Sequence, residues 1–188
     1  FMWDGGVNNL DVQALAPISH PAEMGSSINE VIKKLSSSEI YPRLFLKAYK
    51  DSLINTERTL KALSAFLVTL VSANSKYDRV KAGKEIFSPQ EGNGYTLFQK
   101  NCSSCHTEPL FTTNQFANNG LVPDSNLKDI GRMLITQNPE DSLKFKIPTL
   151  RNIEYSFPYM HDGRFKKVRD VLNHYTNSIV HSKTLSTE

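Results

Sequence analysis

The only two cysteines of the chain, Cys102 and Cys105, lie three residues apart, and His106 follows directly. Two thiols at this spacing can form a small disulfide, supply half of a zinc site, or form thioether bonds to the two vinyl groups of a haem. A structural zinc site needs about four ligands, and neither a second cysteine pair nor a histidine pair at finger spacing follows. The contiguous Cys-x-x-Cys-His order is the attachment signature of haem c. It favours a covalent haem with His106 as the proximal ligand, and leaves a disulfide as the alternative.

A haem iron also needs a sixth ligand, whose identity separates electron transfer from catalysis. The chain offers several donor side chains downstream of the cysteines: Met133, Met160, His161, His174, Tyr175 and His181. Each of these residue types is more often a packing or surface residue than a ligand. The residue pattern alone therefore leaves the sixth ligand open.

The elements that must position these residues are predicted to be helices. Helices are predicted over residues 26–35, 41–51, 55–71, 88–102 and 166–177, with Ser26 or Ser27 as the cap of the first and Asn55 as the cap of the third. Residues 1–27 and 107–152 are predicted to be irregular, and residues 74–84 to be a linker between two domains. No region alternates apolar and polar residues long enough to predict a substantial sheet. The pattern predicts an all-α fold, which offers no βαβ setting for a thioredoxin-like cysteine pair.

Composition excludes several classes of function. The chain has 188 residues, 39% hydrophobic and 22% charged, as in soluble globular proteins. Its 22 basic and 19 acidic residues give a net charge of +3, too balanced to indicate a nucleic-acid partner. No apolar run reaches the roughly 18 residues of a transmembrane helix, since the longest, residues 62–71, contains Ser64 and Thr69.

Three longer stretches resemble the bacterial di-haem cytochrome c peroxidase family, which includes MauG, an oxidase of a partner protein. They are "FMWDGGVNNLDVQALAPISHPAEMG", "LFQKNCSSCHTEPLFTTNQFANNG" and "FKIPTLRNIEYSFPYMHDGRF". Members of this family carry two class I cytochrome c domains, each with its own haem motif. The resemblance implies that residues 1–75 are the C-terminal remainder of the peroxidatic domain. Residues 76–188 would form the second cytochrome c domain, and we expect the first haem motif to precede residue 1.

The resemblance also assigns roles near the peroxide-binding haem. Trp3 matches a tryptophan that assists electron transfer between the haems, and Gln13 and Glu23 match the glutamine and glutamate above the iron. Pro17 matches a proline beside that pocket. Without the resemblance, Trp3, Gln13 and Glu23 would be interpreted as a core aromatic, a surface amide and a helix-start acid, respectively. One departure is Gly6, where the family usually has arginine after Trp-Asp-Gly.

In the second domain, Tyr175 matches the position of the distal haem ligand. Peroxidases of the family have methionine there and MauG-like members have tyrosine, so Tyr175 implies the MauG-like branch. A phenolate favours ferric iron and lowers the reduction potential, whereas a thioether raises it. Met160 is the competing ligand. Ser156 and Pro158 match residues whose backbone carbonyls bind Ca²⁺, an ion that prefers oxygen ligands. Three basic residues are expected to meet haem propionates or to lie on a solvated face: Lys146, Arg151 and Arg164.

The expected activity is reduction of H₂O₂ to water in the periplasm, with the 188 residues alone inactive. Electrons would come from a small redox protein, a cytochrome c or a cupredoxin, through the haem on Cys102 and Cys105 and past Trp3 to a second haem. A homodimer is also compatible with this family. One rival is a MauG-like oxidase of a protein side chain, and the other is a mono-haem electron-transfer cytochrome.

Overall fold

The computed structural model of the chain describes residues 1–177, and His181 lies outside them. The chain divides into two compact units. The first unit contains Phe1 and Val7–Val71, and the second contains Met2–Gly6 together with the chain from Ser72 onward. The short Trp-Asp-Gly segment thus belongs by its contacts to the second unit, although it precedes the first unit in sequence.

The first unit is built from helices, two of which begin at the predicted capping residues Ser27 and Asn55. The helices are α1 (Leu10–Gln13), α2 (Leu15–Ser19), α3 (Ile28–Ser36), α4 (Tyr41–Tyr49) and α5 (Thr56–Leu67). Ser27 and Glu30 form a reciprocal capping box on α3, and the Asn55 side chain caps α5. Four hydrophobic side chains are buried in this unit: Ile18, Phe45, Ile54 and Leu60.

The predicted helix over residues 55–71 is confirmed in its first three turns. It ends at Leu67, and Leu70, predicted to continue its apolar stripe, is 64% exposed. The last residues of the predicted segment are therefore outside the helix and outside the core of this unit.

The second unit contains α6 (Lys76–Lys81), α7 (Pro89–Asn101), α8 (Met133–Thr136), a 3₁₀ turn (Pro139–Asp141) and α9 (Val168–Asn177). Two short antiparallel strands, β1 (Phe116–Ala117) and β2 (Phe145–Lys146), pair Phe116 with Lys146. The helix-rich fold class is confirmed over residues 1–177, where strands are few and short.

The linker predicted at residues 74–84 is wrong, because α6 lies within it. Ser75 and Asp78 form a reciprocal capping box that satisfies the first backbone N–H groups of α6. The helix is too short for its apolar periodicity to stand out in the sequence. Within residues 1–177, no helix combines the length and the apolar character needed to cross a bilayer.

Candidate functional site

The cysteine motif continues α7 by about one turn. Cys102 caps the helix, with its backbone N–H donating to Phe98 O at 2.8 Å. The N–H groups of Cys105 and His106 both donate to Cys102 O, at 3.2 and 2.9 Å. Both thiols are free; Cys102 is half-buried and Cys105 is exposed. Burial raises the pKa of the Cys102 thiol, and the neighbouring Cys105 adds to the effect.

His106 is oriented by a backbone carbonyl. Its Nδ1 lies 3.0 Å from the carbonyl oxygen of Phe111. Because a carbonyl can only accept, Nδ1 carries the proton, and Nε2 of the neutral ring is left with its lone pair. This is the tautomer and the type of partner found for histidines that bind a metal through Nε2.

The loop that supplies this carbonyl is held by Arg151. The Arg151 Nε donates to Pro109 O at 2.9 Å, and its guanidinium lies 5.5 Å from the centre of the Phe111 ring. The remaining nitrogens donate to Ser72 O at 2.6 Å and to the Asp78 carboxylate at 2.8 and 3.0 Å. Arg151 therefore joins the start of α6 to the loop behind His106.

The other two basic residues expected near propionates also have partners. The Lys146 Nζ donates to Asn114 Oδ1 at 2.8 Å. Arg164 donates to the Asp162 carboxylate and, at 2.9 Å, to Val122 O.

Aromatic rings pack on Phe111 from the side of α6 and α7. Phe98 lies 5.4 Å and Tyr77 4.7 Å from its ring centre, both edge-on. Burial, and then the hydrogen bond to the Glu108 carboxylate, raise the pKa of Tyr77 to about 12. The edge-to-face packing fixes the ring of the residue whose carbonyl orients His106.

Tyr175 lies on α9 and is brought near the cysteines although 70 residues separate it from Cys105. Burial raises the pKa of the phenol most, and the nearby Cys105 and Cys102 thiols raise it further. An Asn119 hydrogen bond acts in the opposite direction. The phenol of Tyr175 therefore lies close enough to the two thiols to be influenced by them. Ligation of iron by Tyr175 stays a prediction.

Other candidates for the sixth ligand make contacts of their own. The His174 Nε2 lies 2.8 Å from the backbone oxygen of Asn119. The Met160 sulfur accepts from Asn119 Nδ2 at 3.5 Å. His161 stacks on Phe145 with ring centres 3.7 Å apart, and its buried Nδ1 has no hydrogen-bond partner in the described part of the chain.

Gln13, Pro17 and Glu23 all belong to the first unit. Gln13 ends α1 and is half-buried, and Pro17 lies in α2. The turn after α2 carries the exposed Glu23, whose N–H donates to His20 O at 3.0 Å. The N–H of Met24 donates to Pro17 O at 3.1 Å, which ties this turn to α2.

Trp3 is held in the second unit by its backbone. Its carbonyl accepts from Lys146 N at 2.7 Å, next to β2, while its side chain is 41% exposed. Arg132 Nη1 donates to Asp4 O and Gly5 O, at 3.1 Å each. Gly5 has a φ of +75°, and a Cβ there would lie 2.3 Å from the Phe116 ring. A side chain at position 5 is thus excluded by backbone conformation and by contact.

The second unit has the features expected of a haem domain. It has two free thiols about one turn apart and a histidine whose Nδ1 faces the carbonyl oxygen of Phe111. Its buried hydrophobic residues, over the described part of the chain, are three: Leu121, Phe145 and Ile147. A core this small fits a unit whose apolar interior is completed by a prosthetic group.

The expected Ca²⁺ site at Ser156 and Pro158 has no cluster of acidic side chains in the described part of the chain. Ser156 and Pro158 are both exposed. Within residues 1–177, no group of three or more His, Cys, Asp or Glu side chains could hold a metal ion. Ligands at Ser156 and Pro158 would have to be backbone carbonyls.

Known proteins match this chain over most of its length. The family model described as di-haem cytochrome c peroxidase matches residues 1–86. The methylamine utilization protein MauG of Methylophilus methylotrophus is 33% identical over 192 residues, covering 98% of this chain and 56% of that protein. The cytochrome c551 peroxidase of Nitrosomonas europaea is 35% identical over 165 residues, covering 86% and 49%. The chain belongs to the di-haem cytochrome c peroxidase family.

A solved structure agrees with this assignment. A MauG-like protein associated with microbial copper homeostasis superposes with a TM-score of 0.77 at 26% identity, over 93% of this chain and 59% of that one. The chain spans about half the length of the family members it matches. Both peroxidases and MauG proteins are among these relatives, so membership does not by itself choose between the two activities.

Residues of this family member that the sequence did not single out are Phe111, Asn119, Arg132 and Asp78, the partner of Arg151. Phe111 contributes a carbonyl, which any residue type could supply, so no sequence pattern marks it. Asn119 lies in a polar loop where asparagine is common. Asp78 could have been found from the Ser-x-x-Asp spacing before α6, which is a capping-box pattern.

Proposed function

We propose that the chain is part of a di-haem cytochrome c peroxidase-like oxidoreductase that reduces H₂O₂ to water. The observation that carries the proposal is the cysteine motif: two free thiols one turn apart, followed by a histidine whose Nδ1 donates to Phe111 O. Under this proposal, the chain from residue 76 is a class I cytochrome c domain. Residues 1–75 then complete a peroxidatic domain whose haem is bound outside the 188 residues.

The residues of the second unit would hold one haem c. Cys102 and Cys105 would form the two thioether bonds, and His106, through Nε2, and Tyr175 would be the protein ligands of the iron. A haem bound here would supply one-electron redox chemistry, with the potential set by the axial ligands and their hydrogen bonds. The chain's contribution is to fix His106 through Phe111 O.

Residues of the first unit would serve the peroxide. The Glu23 carboxylate would take a proton from H₂O₂ and return it to the departing oxygen, which is general acid–base catalysis. Two protons and two electrons convert one H₂O₂ to two water molecules, so both must reach the peroxide. Gln13 would hydrogen-bond the peroxide, Pro17 would support the turn that carries Glu23, and Trp3 would assist electron transfer.

A second candidate function is MauG-like oxidation of a protein side chain. Tyr175 favours it, because an anionic oxygen ligand stabilises ferric and more oxidised iron. The relative named MauG, at 33% identity, agrees with this branch. A mono-haem electron-transfer cytochrome is the third candidate, and a haem count on the complete protein decides it.

The partners, location and second cofactor follow from the same proposal. Electrons would come from a cytochrome c or a cupredoxin, or from a protein substrate in the MauG-like case. The protein would act in the periplasm, and a homodimer is compatible with this proposal. Ca²⁺ would be bound by the carbonyls of Ser156 and Pro158.

The experiment compares both substrates on one preparation of the complete, haem-loaded protein. Peroxide consumption is measured with reduced cytochrome c and, separately, with a tyrosine- and tryptophan-rich protein as the electron source. Fast turnover with the cytochrome supports peroxide reduction. Oxidation of the protein with little cytochrome turnover selects the MauG-like activity, and inactivity with both contradicts the proposal.

A further inference from the structure

Asn119 lies in the loop after β1 and connects three residues of the distal side. Its backbone oxygen lies 2.8 Å from His174 Nε2, its Nδ2 donates to the Met160 sulfur at 3.5 Å, and its side chain hydrogen-bonds to Tyr175. Two of these partners, His174 and Tyr175, are neighbours on α9. A single residue thus fixes both the helix and the phenol that it carries.

The orientation of the Asn119 amide follows from its other contact. The Asn119 Oδ1 accepts from the backbone N–H of Leu121 at 3.3 Å. The Nδ2 end is therefore directed toward Met160, and an amide Nδ2 carries two N–H groups, so that one donor remains for a second partner. Asn119 also hydrogen-bonds to Tyr175 through its side chain, and the second Nδ2 N–H group can supply the donor for that contact.

The second contact of Asn119 with α9 is the hydrogen bond between its backbone oxygen and His174. Because a carbonyl accepts, His174 Nε2 carries the proton in its contact with Asn119 O. The His174 and Tyr175 rings lie 5.3 Å apart. The hydrogen bond from His174 therefore fixes the backbone of Asn119 relative to α9, the helix that carries Tyr175.

We propose that Asn119 is a positioning residue for Tyr175: its amide donates to the phenol oxygen and limits how strongly that oxygen binds ferric iron. This rests on the proposed function, in which Tyr175 is an axial ligand. A hydrogen bond to an anionic oxygen withdraws electron density that would otherwise go to the metal. The same amide also occupies the sulfur of Met160, the competing ligand.

The consequence is measurable as a reduction potential. Without the donor, Tyr175 binds ferric iron more tightly, so the potential of this haem falls. A charge-assisted hydrogen bond changes an equilibrium by roughly tenfold or more. Tenfold in the ratio of ferric to ferrous affinity corresponds to about 59 mV for a one-electron couple.

The test uses the haem-loaded protein and two substitutions. Asn119→Asp is nearly isosteric and keeps the acceptor for Leu121 N–H but loses both donors, and Asn119→Leu removes the donors without adding charge. The matched control is Asn118→Asp, which adds the same charge one residue away and keeps the acceptor for Gly120 N–H at 2.8 Å. We expect both Asn119 variants to lower the reduction potential of the haem and to shift its ferric absorption spectrum. The control should leave the spectrum unchanged and should alter the potential only by the effect of the added charge.

Failure of this inference is distinguishable from failure of the proposed function. Tyr175→Phe tests ligation directly: an unchanged ferric spectrum and potential mean that Tyr175 is not a ligand, and the inference falls with it. If Tyr175→Phe changes both while the Asn119 variants match the control, ligation stands and the positioning role is wrong. In the Tyr175→Phe background, Asn119→Leu should have no further effect, and a shift as large as in the parent protein overturns a role through Tyr175.

Discussion

Replacing Arg151 with lysine tests whether the loop behind His106 is held by the guanidinium fork. Lysine keeps the charge but offers a compact ammonium in place of a planar fork. It can keep a contact with the Asp78 carboxylate, but it cannot also reach the carbonyls of Ser72 and Pro109, at 2.6 and 2.9 Å from Arg151 nitrogens. Each lost hydrogen bond costs about 1 kcal/mol, so Arg151→Lys should lower the free energy of unfolding by about 2 kcal/mol.

Solvent screens this ion pair only weakly, because the Arg151 and Asp78 side chains are 15% and 17% exposed. The loss of the guanidinium contacts should therefore be measurable. For a chain of this length, 2 kcal/mol corresponds to about 4–8 °C in the unfolding temperature. The assay is thermal unfolding of the haem-loaded chain followed by far-ultraviolet circular dichroism. The control is Arg79→Lys, since Arg79 forms a more exposed pair with Glu85 and should shift the midpoint by less. Equal shifts in the two variants would mean that the Arg151 guanidinium does not hold the loop behind His106.

Three further predictions concern catalysis, potential and pH. In the complete protein, Glu23→Gln should lower peroxide turnover by roughly 10²–10⁴-fold while both haems stay bound. The control, Glu39→Gln at an exposed position, should keep the turnover of the parent protein. Parent-level turnover in Glu23→Gln would mean that Glu23 has only a structural role. Tyr175→Met should raise the reduction potential of this haem in a redox titration, because a thioether replaces a phenolate. The Lys76 ammonium, with Ser88, lowers the pKa of Glu91 from 4.5 to about 2. The ionised Glu91 carboxylate thus contributes to the stability of the fold above pH 4.5, and this contribution is lost as the pH falls through about 2. Acid unfolding of Glu91→Gln should show a shallower pH dependence than the parent protein in this range. An unchanged slope contradicts this prediction.

The longer helices could be predicted because their start residues and apolar spacing agree. Ser27, Asn55 and Ser88 are the caps of α3, α5 and α7 in the structure, and each supplies an oxygen to orphan backbone N–H groups. The haem motif was also readable, since thioether chemistry requires two thiols and a histidine in a fixed order. These features depend on residues close in sequence.

The parts that could not be predicted depend on long-range contacts. The carbonyl of Phe111 orients His106 only because Arg151, 40 residues later, holds the loop through Pro109. The grouping of Trp3 with the second unit depends on Lys146 and could not be read from its place in the chain. Such contacts use backbone atoms, so no residue type marks them in the sequence.

The central claim is that Cys102 and Cys105 carry one covalent haem, and the mass of the chain after periplasmic haem maturation tests it most directly. We expect the mass of the bare chain plus one haem, with the colour staying in the protein after extraction with acidic acetone. A Cys102→Ala, Cys105→Ala variant, expressed in the same way, should have the bare mass and release any colour into the organic phase. A wild-type chain of bare mass, or one whose colour is extracted, would contradict the claim.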